Sequence, residues 1–69
     1  MEKKYNIGNS IKNARLNANL SQTELANKIG VSHSAISFWE NEVNVPNVKD
    51  LLKLADVLNV TLDELVGRD

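Results

Sequence analysis

Sixty-nine residues make one domain with no room for a second, and a chain this short buries only roughly 60% of its unfolded surface. Without cysteine, and with a single histidine, it has no disulfide and no zinc cluster; apolar packing must hold it, no metal or cofactor is expected, and the setting reads as cytoplasmic. Its apolar runs fall far short of the roughly 20 residues that span a bilayer, the stretch from Met1 to Tyr5 lacks the apolar core of a signal peptide, and no membrane association is expected.

The formal net charge of −1 argues against a protein that holds nucleic acid by bulk positive charge. The charge is unevenly spread, however. Residues 1–30 carry Lys3, Lys4, Lys12, Arg15 and Lys28 against Glu2 and Glu24, a net +3, which leaves −4 on residues 31–69. One end can still face phosphate.

Five short apolar-periodic segments, punctuated by Gly, Asn, Ser and Pro, predict five helices and no strand. The first carries Ile7, Ile11, Ala14 and Ala18 on one face and ends near Asn17 to Asn19, where asparagine tolerates a left-handed cap. Ser21 opens the second through a capping box with Glu24, flanked by Leu20 and Leu25, and Gly30 stops it. After the tight turn at Val31, Ser32 caps a third helix with Ala35, Ile36 and Trp39 facing inward. His33, Ser34, Ser37 and Phe38 are left on other faces.

Beyond the loop from Glu42 to Pro46, Asn47 caps a fourth helix whose stripe is Leu51, Leu54, Ala55 and Leu58, ended by Asn59. Thr61 and Glu64 repeat the capping box for a last short helix with Leu62 and Leu65, closed by Gly67. The informative unit runs from Gln22 to Asn41. There Ala26 permits close helix approach, Gly30 supplies the turn, and Ile29, Val31, Ile36 and Trp39 set the crossing angle by burial.

This sequence resembles the repressor and Cro type of helix-turn-helix regulators of bacteria and phages, the XRE-like family. The likeness runs through Leu20-Ser21-Gln22-Thr23-Glu24-Leu25-Ala26, Ile29-Gly30-Val31-Ser32, Ala35-Ile36-Ser37, Trp39-Glu40-Asn41, Pro46 and Leu54 to Thr61, and covers roughly residues 7–66. It implies an all-α, five-helix bundle of the lambda-repressor-like type over residues 1–69, with the third helix in the major groove of duplex DNA.

Carried onto this chain, the base-facing positions are His33, Ser34, Ser37 and Phe38. None is the Arg, Lys, Gln or Asn that makes bidentate base contacts; His33 can hydrogen-bond a purine edge and Phe38 can pack on thymine methyls. The alternatives are an ordinary exposed histidine, and for Phe38 a place in the core or a dimer contact, whereas Trp39 reads as core. Phosphate contacts fall to Gln22, Thr23, Ser32, Asn41 and Asn44, for which capping or solvation is the other reading. The resemblance further implies a structural ion pair between Arg15 and Glu40, costing about 3 to 5 kcal/mol to break on one side if buried.

The chain departs from the family after Trp39-Glu40, where the common Asn-Gly-Lys or Arg-Gly-Lys loop is replaced by Asn41-Glu42-Val43-Asn44-Val45. The turn glycine and one or two phosphate-binding cations are missing, which lowers affinity and salt slope together. The expected function is that of a sequence-specific transcriptional regulator, a repressor by family analogy, not an enzyme. It would act as a homodimer on a pseudo-palindromic operator with half-sites roughly 34 Å apart. Leu62, Leu65 and Val66 are candidates for the dimer contact, or else they only close the core. The alternative is a protein-interaction module of the same fold, antitoxin-like or anti-repressor-binding, suggested by the acidic C-terminal part and by Phe38, Val43 and Val45. A regulatory protein partner fits either reading. The chain is expected to be either complete or the DNA-binding half of a longer repressor.

Overall fold

In the computed structural model, which describes residues 6–67, the apolar spacings become five helices with no strand among the described residues. They are α1 (Ile7–Asn17), α2 (Gln22–Ile29), α3 (His33–Glu40), α4 (Val48–Leu58) and α5 (Leu62–Val66). Lys3 and Lys4, counted above in the basic end, lie outside the described residues.

Each helix after the first starts on a side chain that satisfies an otherwise orphaned backbone N–H. Ser21 accepts from Glu24, Ser32 from Ala35, Asn47 from Asp50 and Thr61 from Glu64. At Ser21 and Thr61 the glutamate reaches back to the capping residue's own N–H, at 2.8 and 3.4 Å. The Ser21 N–H, helped by the Ser21 hydroxyl, holds the Glu24 carboxyl below its ordinary range. Gly30, Asn59 and Gly67 end α2, α4 and α5 in the left-handed region, with φ of 78°, 58° and 68°. α1 is the exception at its start, since Asn6 makes no side-chain cap; instead the Asn6 N–H donates to Val66 O at 3.0 Å and ties the start of α1 to the end of α5.

The centre of the bundle takes one residue from every helix. Ile11, Leu25, Ile36, Leu54 and Leu65 are each 0% exposed, and Ala26, Ile29, Trp39 and Leu58 close around them. With α1 packed on α5 and α3, and α2 on α3 and α4, no helix has an independent core.

One inward assignment from the periodicity fails at a helix end, and one residue left open between core and dimer contact stays at the surface. Ala18 is exposed, because its N–H caps α1 on Ala14 O and Arg15 O and Asn19 then turns to φ 59°, so the chain leaves before the stripe reaches Ala18. Leu62, the first residue of a five-residue helix, stays 45% exposed while Leu65 one turn later is fully buried.

Gly8 carries a constraint that periodicity does not reveal. A Cβ there would lie 2.7 Å from Glu40 O and 2.8 Å from Trp39 O, so the first turn of α1 rests directly on the backbone at the end of α3. Gly30, by contrast, has open space around its Cβ position and needs glycine only for its φ. Gly8→Ala is therefore expected to lower stability by about 1 to 3 kcal/mol through overpacking, and Gly30→Ala by roughly 1 kcal/mol through backbone strain. Urea unfolding of the two variants checks this; a Gly8→Ala variant as stable as wild type would contradict the close approach.

Candidate nucleic-acid interface

The turn between α2 and α3 is closed by the backbone itself. The N–H groups of Gly30 and Val31 both donate to Ala26 O, at 2.9 and 3.0 Å, and α3 begins two residues later on the Ser32 cap. Burial of Ile36 and Trp39 then leaves one side of α3 at the surface. On that side His33, Ser34 and Phe38 are exposed and Ser37 is half-buried, a continuous strip at i, i+1, i+4 and i+5. Phe38 is 46% exposed, which removes it from the core.

Beneath the strip lies a polar chain drawn from three helices. Arg15 donates through Nε to Glu40 Oε2 at 2.6 Å and through Nη2 to Glu40 Oε1 at 3.1 Å, a two-point pairing of guanidinium and carboxylate. The two side chains are only 9% and 3% exposed. Arg15 Nη1 also donates to Leu20 O at 2.9 Å, fastening the turn between α1 and α2. Its hydrogen bond to Glu40 raises the Arg15 pKa above its ordinary value despite the opposing effect of burial, so the guanidinium stays charged. Gln22 extends the chain, with Nε2 donating to Glu40 Oε1 at 3.0 Å and Oε1 lying 3.0 Å from His33 Nε2.

The phosphate candidates are spread around this centre. Gln22 and Thr23 open α2, where no helical carbonyl reaches their N–H groups, but the Gln22 side chain is engaged by Glu40 and His33. The Ser32 hydroxyl accepts from Ala35 N at 3.2 Å. The Asn41 amide donates to Ser37 O at 3.0 Å, while Asn44 is exposed in the loop that follows. Lys53, a cation that charge alone would assign to phosphate, donates to Ile29 O at the end of α2. Glu42 stands at φ 59°, a left-handed conformation that glycine adopts at no steric cost, so a strained, acidic residue occupies this turn. No group of three or more His, Cys, Asp or Glu that could hold a metal ion occurs among the described residues.

Comparison with known proteins agrees with this geometry. The helix-turn-helix family model matches residues 11–65. The chain is 35% identical over 63 residues to the transcriptional regulator ImmR of Bacillus subtilis, and 34% identical over 62 residues to the cryptic phage CTXphi transcriptional repressor RstR of Vibrio cholerae. These matches cover 91% and 90% of this chain but only 50% and 55% of the two relatives, so the chain spans about half the length of the curated relatives it matches. Among solved structures, the P22 c2 repressor in complex with a synthetic operator is similar with a TM-score of 0.84 and 35% identity, over 91% of this chain and 96% of that one.

The pair of Arg15 and Glu40 generates a direct test of its energetic role. Glu40→Gln leaves a buried guanidinium without its counter-charge and is expected to cost about 3 kcal/mol, whereas the apolar double replacement Arg15→Met/Glu40→Leu should fall within roughly 1 kcal/mol of wild type. Thermal melts of both variants check the contrast. A Glu40→Gln melt that overlays wild type would show that the pair carries no stability.

Proposed function

The chain belongs to the helix-turn-helix family, of the repressor and Cro type, and on that premise we propose that it is a sequence-specific duplex-DNA-binding transcriptional regulator, a repressor, that inserts α3 into the major groove. The observation that carries this reading is the strip of His33, Ser34, Ser37 and Phe38 on a helix whose other side is locked in the core, in a fold whose likeness is bound to operator DNA in the P22 c2 repressor. Residues 1–69 act as one DNA-binding unit. His33 and Ser34 meet base edges by hydrogen bonds, Ser37 lies deeper, and Phe38 offers an apolar surface to thymine methyls.

Phosphate is held by the first-turn N–H groups of Gln22 and Thr23 and by Ser32, Asn41 and Asn44, neutral donors that position the duplex without a large salt-dependent contribution. So few cations make a single copy weak, which favours a homodimer on a pseudo-palindromic operator, each copy adding one half-site. The molecule works in the cytoplasm, where an operator on duplex DNA is reached. It is a binding module and not an enzyme, because the strip acts by complementarity to a groove and needs no reacting group. The exposed Val43 and Val45 in the loop after α3, with Val48 at the start of α4, favour a regulatory protein partner.

Selection of bound sequences from random duplex DNA, followed by titration at two salt concentrations, tests this function. Enrichment of a two-fold-related motif is expected, with a half-site that changes for Ser34→Ala and a slope of roughly 0.9 per neutralised phosphate over only a few phosphates. Absence of any enrichment at low salt, with folded protein at dimer-forming concentration, would overturn it.

A further inference from the structure

The Gln22 amide sits between two groups whose hydrogen-bonding polarities are not interchangeable. On one side is Glu40 Oε1, 3.0 Å from Gln22 Nε2; on the other is His33 Nε2, 3.0 Å from Gln22 Oε1. Both Glu40 oxygens already accept from Arg15, at 2.6 and 3.1 Å, and a carboxylate paired in this way with a guanidinium offers only acceptors. The group that Gln22 turns towards it must be the NH2. The carbonyl oxygen of the amide then points at His33, and a ring nitrogen facing a carbonyl must carry the proton.

We propose that the relay from Arg15 through Glu40 and Gln22 fixes neutral His33 as the Nε2-protonated tautomer, so that Nδ1 is the acceptor it presents to the DNA. The base opposite His33 is then one with a donor in the major groove, the N6 amine of adenine or the N4 amine of cytosine. Guanine offers only O6 and N7 acceptors there and thymine O4, and each would face a lone pair. Gln22 is thus a positioning residue that sets base preference without touching a base. Two positions that sequence alone divides between phosphate and base contact become one reading unit. This inference rests on the DNA-binding reading, but the tautomer itself exists in the free protein.

That separation defines the experiment. Long-range proton–nitrogen correlation on the free, nitrogen-15-labelled protein in mildly alkaline buffer reports which ring nitrogen of His33 is protonated. A pyrrole-type Nε2 and a pyridine-type Nδ1 are expected, with Gln22→Leu giving averaged shifts while its amide spectrum stays dispersed. The contacted base is then located as the half-site position whose preference disappears in His33→Ala. Adenine or cytosine is expected there, and removing its exocyclic amine, as in purine or pyrimidin-2-one, should weaken wild-type binding about tenfold and Gln22→Leu binding by no more than about twofold.

A pyrrole-type Nδ1 in the free protein would overturn the relay even if the operator is bound. Selection of guanine or thymine at the His33 position would overturn the base assignment. The expected tautomer combined with no sequence enrichment would instead bring down the DNA-binding reading, and the base assignment with it.

Discussion

Placing a guanidinium and a carboxylate inside a bundle of this size costs several kcal/mol per ion unless every remaining donor and acceptor is met. Here each is. Arg15 meets Glu40 at two points and Leu20 O at a third, Gln22 supplies a further donor to the carboxylate, and no buried side-chain nitrogen or oxygen among the described residues lacks a partner. Such a set can be completed only if α1, the turn after it, the start of α2 and the end of α3 meet at one place. Gly8 makes the meeting possible, because any larger residue would strike the carbonyls of Trp39 and Glu40 and push the end of α3 away.

The apolar centre and the polar chain therefore do different work. Ile11, Leu25, Ile36, Leu54 and Leu65 provide the burial that holds five short helices together, but apolar contact is non-directional and tolerates small rotations of α3. Charged hydrogen bonds at 2.6 to 3.1 Å do not. They orient the end of α3 against α1 and, through Gln22, the ring at its start. Binding a base edge with a side chain already held in place avoids an ordering cost that a flexible side chain would incur. In a protein of net charge −1, pre-organisation is one route to useful affinity.

What was legible in the chain was what is local. The caps at Ser21, Ser32, Asn47 and Thr61, and the left-handed ends at Gly30, Asn59 and Gly67, depend on residues within one turn of each other, and all stand where spacing puts them. The inward stripe of α1 was legible through its middle and not at its end, as Ala18 shows, because burial there depends on where the chain turns away. Gly8 was silent, since its reason lies on a helix remote in sequence. Arg15 and Glu40 were paired only through the family resemblance, and nothing in the pattern of this one chain joins Gln22 to both Glu40 and His33, a junction that exists only after three helices assemble. Trp39, by contrast, lay on the apolar stripe of its own helix and is buried there.

The central claim is that one buried ion pair, working through Gln22, both sets the end of α3 and orients the group that reads a base. The most direct measurement is the discrimination ratio of Arg15→Met/Glu40→Leu, comparing the selected half-site with one lacking the exocyclic amine opposite His33, alongside a check that the variant is folded. The account predicts a folded protein that still binds DNA while its ratio drops to no more than about twofold, because the Gln22 amide has lost the acceptor that oriented it. An undiminished ratio in the folded double variant would contradict it and return the pair to a purely structural role.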